Sequence, residues 1–102
     1  LSPIVYSEQI RASVIHIDRY GNLVLNVTAA LFEKTRKGRR FKIYFKRLDP
    51  VDNISESYTD GEVGEPICLF NSSGHLVLAV NMGNASEDLG LKKEDIIQIL
   101  FE

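Results

Sequence analysis

Apolar and polar residues alternate most cleanly between Arg39 and Leu48, with Phe41, Ile43 and Phe45 on one face and Lys42, Tyr44 and Lys46 on the other. A period of two is that of a half-buried strand. Two further pairs of apolar runs are separated by turn-forming residues. Ala12 to Ile17 and Leu23 to Val27 flank Asp18-Arg19-Tyr20-Gly21-Asn22, while Ile67 to Phe70 and Leu76 to Val80 flank Asn71-Ser72-Ser73-Gly74. Both read as hairpins with a glycine free to take positive φ. Thr28 predicts the cap of a short helix from Ala29 to Lys37, ended by Gly38. Asn84, with Glu87 three residues on and Gly90 behind, predicts a second. The full reading has seven strands: Ala12–Ile17, Leu23–Val27, Arg39–Arg47, Asn53–Tyr58, Pro66–Asn71, His75–Val80 and Asp95–Phe101. Short strands at turn spacing with two short helices imply an all-β fold, an antiparallel sandwich or small barrel. Residues 1–11 hold Pro3 and no period, and read as a lead-in segment or linker remnant before a domain over 12–102.

Composition narrows the classes. The chain has 102 residues, 44% hydrophobic, with net charge −2, enough for one core. No apolar run approaches the roughly 20 residues of a membrane span, and the charge favours neither nucleic acid nor an anionic membrane. One cysteine, Cys68, in an apolar run reads as a small buried hydrophobe in a reducing, cytoplasmic setting. The absence of an initiator methionine suggests a cut end and a longer natural protein.

Candidate chemistry is sparse. His16 and His75 are the two histidines, with no carboxylate or cysteine cluster at ligand spacing, so no metal site is expected. Eight of the twelve basic residues lie between Lys34 and Arg47. Interleaved with Phe41, Tyr44 and Phe45, they resemble a nucleic-acid-binding face, although alternation sends Phe41 and Phe45 inward and leaves a solvated edge as the simpler reading. A barrel serving oligomerisation is a third possibility. The polar loops at both ends of Leu76–Val80 make a plausible small-molecule rim. Asp18 and Asn22 could equally bond only their own turn.

Three runs, VIHIDRYGNLVLNVT (Val14–Thr28), SYTDGEVGEP (Ser57–Pro66) and NSSGHLVLAVNMGNASEDLGL (Asn71–Leu91), resemble the C-terminal domain of the S-adenosylmethionine (SAM) hydroxide adenosyltransferases, relatives of fluorinase and chlorinase. The resemblance covers about nine-tenths of the chain. It implies a closed seven-stranded antiparallel, Greek-key-like barrel and a larger N-terminal α/β domain outside this chain. It also implies a homotrimer whose sites lie between the N-terminal domain of one subunit and the C-terminal domain of its neighbour. The implied reaction displaces methionine from ribose C5′ by water-derived hydroxide, giving adenosine and L-methionine, with SAM as substrate and no cofactor. By that resemblance Asp18 and Asn22 hold the methionine ammonium and polar nucleoside edges. Tyr58 stacks on adenine, Tyr20 lies near the attacked carbon, Ser72 and the Ser73 amide bind the methionine carboxylate, and Asn81 and Met82 read the adenine edge through main-chain groups. Fluorinase carries arginine where this chain has Ser73, which argues against halide chemistry. No catalytic residue is expected here, since those activating water belong to the other domain, and this chain alone should not turn over. The expectation for the site is that three polar turns, around Asp18, Tyr58 and Ser72, converge at one mouth of the barrel.

Overall fold

The computed structural model describes residues 1–46 and 49–102 of the chain. Seven strands and two helices follow in order: β1 (Ile4–Val5), β2 (Gln9–Ile17), β3 (Leu23–Thr28), α1 (Ala29–Arg36), β4 (Phe41–Tyr44), β5 (Pro66–Phe70), β6 (His75–Val80), α2 (Ala85–Leu89) and β7 (Ile96–Phe101). All pairings are antiparallel in a single curled sheet ordered β4-β7-β2-β3-β6-β5, with β1 joined to β2.

Alternation decides which side faces inward. Ile10, Ala12 and Val14 of β2, Leu23, Leu25 and Val27 of β3, Phe41 and Ile43 of β4, Leu76, Leu78 and Val80 of β6, and Ile97, Ile99 and Phe101 of β7 share one core. Helix α1 adds Phe32, whose ring meets Phe41, Phe70 and Phe101 edge-on at centroid distances of 5.0, 5.7 and 5.7 Å. Helix α2 contributes the fully buried Ala85. Because α1 follows Thr28, which pairs with His75, and α2 follows the far end of β6, the helices cover opposite ends of the curl. On the outer face, Ile67, Leu69, Val77 and Ala79 form a second small cluster.

The sheet is a curled half-barrel, open where a closed barrel was expected. Its edges, β4 and β5, are joined through the segment between them: Val51 exchanges two backbone hydrogen bonds with Ile43, and Ser55 donates one to Cys68. The strand expected over Asn53–Tyr58 is replaced by turns. There the Asp60 carboxylate accepts from the Glu56 and Ser57 amides at 2.8 and 3.0 Å, giving the backbone a local alternative to a ladder. The strand expected over Arg39–Arg47 is ordered only as Phe41–Tyr44, since Lys46 turns the chain at φ +42°; its expected end, Arg47, lies outside the described residues. Conversely, β2 starts at Gln9, three residues before the expected Ala12, and β1, too short to show a period, pairs Ile4 with Arg11. The N-caps behave as expected, while α1 ends at Arg36 with Lys37, at φ +53°, as its C-cap in place of Gly38. Thr28 Oγ1 accepts from the Leu31 amide and Asn84 Oδ1 from the Glu87 amide. The reciprocal bond to the Asn84 amide comes from Asp88 instead of Glu87.

Candidate functional site

The Asp18–Asn22 turn is built by its own side chains. Asp18 Oδ1 accepts from the amides of Tyr20 and Asn22 at 2.8 and 3.0 Å, and Oδ2 accepts from Asn22 Nδ2 at 3.0 Å. A carboxylate has about four acceptor positions, so Asp18 Oδ2 keeps one for a ligand cation. Asn22, having spent its amide donor inward, keeps Oδ1 as an acceptor. Gly21 turns the chain at φ +83°. Tyr20 stands at the tip, 64% exposed, with the Arg19 guanidinium 5.2 Å from its ring centre.

A second loop meets this turn. Ser86 donates its amide to the Gly21 carbonyl at 2.9 Å, and the Asn84 side chain occupies the space where a Cβ on Gly21 would stand. On the same loop, two residues before Asn84, Met82 is 83% exposed at φ +58°, a conformation that non-glycine residues adopt rarely. Asn81 is buried, its amide donating to Glu65, its carbonyl accepting from Gly64 and its Nδ2 donating to Gly61 at 2.6 Å. The Asn81 main chain extends the β5–β6 pairing toward the 61–65 loop. What Asn81 does is tie the 61–65 loop to this rim.

Tyr58, 43% exposed, lies on the excursion that leaves β5 at Ser55, opposite Cys68, and returns at Gly61, which passes against Ile67. That is the half of β5 nearer Asn81. Ser72 and Ser73 are placed otherwise. Phe70 pairs with Leu76 and Pro66 with Val80, so the 71–74 turn opens at the opposite end of the hairpin, where the Gly74 carbonyl accepts from the Ala29 amide. The six residues of β6 separate the two ends by about 20 Å. The convergence expected of the Asp18, Tyr58 and Ser72 turns at one mouth is thus corrected: the Ser72 turn opens at the far end of the hairpin from the Asp18 turn. Asp18, Tyr20, Asn22, Asn81 and Met82 share a rim, and a ligand reaching Ser72 as well would have to lie along the hairpin. The Ser73 amide and hydroxyl are both bonded to Asn71 Oδ1, at 3.1 and 2.8 Å, with the hydroxyl 3.2 Å from His75 Nδ1.

The rim is a shelf whose aromatic and thioether groups are open to solvent. Small-molecule sites bury most of their ligand, so this surface by itself would not enclose one. A cavity of about 350 Å³ at the seam between the edge strands is lined by Asp49, Asp52 and Glu65 with Pro50, Val51, Asn53 and Pro66, and its carboxylates suit it poorly to an anionic group. Burial pushes the Cys68 thiol up to about 12, removing it as a nucleophile. No cluster of three metal-ligating side chains occurs among the described residues, nor any helix long and apolar enough to cross a membrane. The residues that sequence reasoning passed over are Asn84, read only as a helix cap, and Asn26, which is buried in β3 and accepts from the Ser13 amide next to the Val14–Leu25 pair. The spacing of Gly21 and Asn84 gives no local signal of their contact.

The structural likenesses agree with this architecture. A solved structure of a conserved protein from Thermotoga maritima superposes with a TM-score of 0.81 at 28% identity, over 98% of this chain and 39% of that one. One from Thermus thermophilus, at 24% identity and TM-score 0.68, shares the fold over 90% of this chain and 34% of its own. In sequence the chain is 31% identical, over 106 aligned positions, to the (R)-S-adenosyl-L-methionine hydrolase of Methanocaldococcus jannaschii. That match takes in 99% of this chain and 40% of the relative, so the chain spans well under half of the proteins it matches. The family model for the SAM hydroxide adenosyltransferase C-terminal domain matches residues 12–98. The chain belongs to the SAM hydroxide adenosyltransferase C-terminal domain family.

Proposed function

We propose that this domain supplies the substrate-binding shelf of an enzyme that hydrolyses SAM to adenosine and L-methionine. The observation that carries the reading is the rim itself, where the Asp18–Asn22 turn is locked against the Met82 loop with one carboxylate acceptor and one amide oxygen left free. Asp18 and Asn22 face the polar edges of the nucleoside and the Met82 main chain the adenine edge, with Asn81 holding that loop in place. Tyr20 lies by C5′, and Tyr58 offers a π-face to the purine. Ser72 receives the carboxylate of a substrate lying along β6, while Ser73, whose amide and hydroxyl both donate to Asn71 Oδ1, shapes that turn.

The complementary surface is an N-terminal α/β domain of a neighbouring subunit in a homotrimer, which also holds the groups that position and deprotonate water. The attacking oxygen bonds C5′ as the C5′–S bond breaks. The electron pair passes to sulfur, the sulfonium becomes a neutral thioether, and the water proton goes to a base of the other domain. Catalysis in this scheme is in-line positioning and exclusion of competing solvent, with no cofactor or metal. A charged metabolite as substrate suits a cytoplasmic enzyme. The test is to incubate full-length protein with each sulfonium epimer of SAM and follow adenosine and methionine by chromatography. Stoichiometric release of both supports the reading, and intact SAM after prolonged incubation removes it.

A further inference from the structure

The contact between Gly21 and Asn84 exceeds what a turn and a helix cap each require. The Asn84 carboxamide fills the position that a Gly21 Cβ would take, so the side chain is seated in a notch that only glycine leaves. The same side chain accepts from the Glu87 amide at 3.0 Å, and Ser86, two residues on, donates to the Gly21 carbonyl at 2.9 Å. Helix α2 is itself held from both sides: Ala85 is fully buried in the main core, and the Gly90 carbonyl at its C-terminus accepts from Lys46 Nζ. The turn carrying Asp18 and Asn22 is therefore seated against Asn84 and Ser86.

We propose that Asn84 is a positioning residue for the nucleoside end of the substrate, setting the spacing between the Asp18–Asn22 turn and the Met82 main chain without touching the ligand. This rests on the reading of the rim as a SAM site. Serine at position 84 keeps a capping oxygen as good as asparagine's but is too short to fill the notch, whereas aspartate keeps both the cap and the shape.

The experiment uses the full-length enzyme with Asn84→Ser and Asn84→Asp. Calorimetric SAM affinity, KM and kcat are measured beside the melting temperature and amide exchange of residues 18–22. The expected result for Asn84→Ser is an affinity loss of about tenfold, as small misplacements of binding groups produce. It comes with faster exchange at Gly21 and Asn22, an unchanged melting temperature and a rise in KM that outweighs any change in kcat. Asn84→Asp restores affinity and exchange protection. A merely structural Asn84 would lower the melting temperature and the folded fraction while leaving KM alone, and that outcome overturns the proposal, as does an Asn84→Ser enzyme with wild-type affinity. A wild-type protein that fails to bind SAM overturns the functional reading and the role assigned here with it. In that case the exchange data alone still show whether the turn is held by Asn84.

Discussion

Arg36 and Arg39 bond each other's backbone reciprocally: Arg36 Nε donates to the Arg39 carbonyl at 2.6 Å and Arg39 Nε to the Arg36 carbonyl at 3.0 Å. Each guanidinium also covers an aromatic ring, Arg36 over Phe41 at 4.9 Å and Arg39 over Phe101 at 5.3 Å. Arg39 Nη2 reaches the carbonyls of Ser7 and Thr35. Two of the basic residues that suggested a nucleic-acid face therefore clamp the end of α1 to the sheet.

The first prediction is that Arg39→Ala destabilises the protein by about 1–3 kcal/mol through the side-chain hydrogen bonds to the Ser7 and Thr35 carbonyls and the stacking it loses. Urea unfolding measures this. A change confined to salt-dependent RNA binding, with stability intact, would return the residue to a nucleic-acid role.

Asp18→Asn tests charge at the rim. Asparagine keeps an oxygen for the Tyr20 and Asn22 amides and removes the negative charge. Full-length Asp18→Asn should bind SAM about ten- to a hundredfold more weakly, the span of one charge-assisted hydrogen bond. Wild-type affinity by calorimetry would mean that Asp18 serves only its turn.

Ser72→Ala separates the two ends of the hairpin. With the substrate laid along β6, the variant loses affinity for SAM but not for adenosine, which has no carboxylate. Equal affinities of variant and wild type for SAM would place the methionine moiety wholly at the Asp18 rim.

Cys68 sets a pH dependence. Burial raises its thiol from 9.0 to about 12, so the folded state holds the proton more tightly than the unfolded chain. Stability from this group is complete below pH 9 and declines as pH rises toward 12, by at most about 1.4 kcal/mol per unit. Unfolding midpoints of wild type and Cys68→Ala, compared from about pH 8 to about pH 10.5, should converge. Parallel curves would assign the alkaline loss to other groups.

Phe32 meets three rings edge-on and is fully buried, so Phe32→Ala should cost about 3–5 kcal/mol. Thermal unfolding reads this directly.

Strands with an uninterrupted period or a turn between them were legible in the residues: both hairpins and the Phe41/Ile43/Phe45 face stand where alternation put them. So do the caps at Thr28 and Asn84, whose side chains act within three residues. Legibility ended where partners are distant. Whether the curl closes depends on how β4 and β5 meet, and they are separated by a segment that Asp60 draws into turns. The weak alternation of Ile54, Glu56 and Tyr58 carried no information about that competition. The rim followed the same division. The Asp18–Asn22 turn was readable, but the placement of Ser72 a strand's length away follows from the β5–β6 register, and the seating of Asn84 on Gly21 from a crossing of elements far apart in the chain.

Strand β7 lies between β4 and β2, both of which precede it by more than fifty residues. In the native sheet β2 and β4 share no ladder, so the pairings that join them are completed only once Ile96–Phe101 has left the ribosome. Cotranslational folding is therefore deferred, with Ile10, Ile43 and their neighbours exposed to chaperones until the strand that joins them arrives.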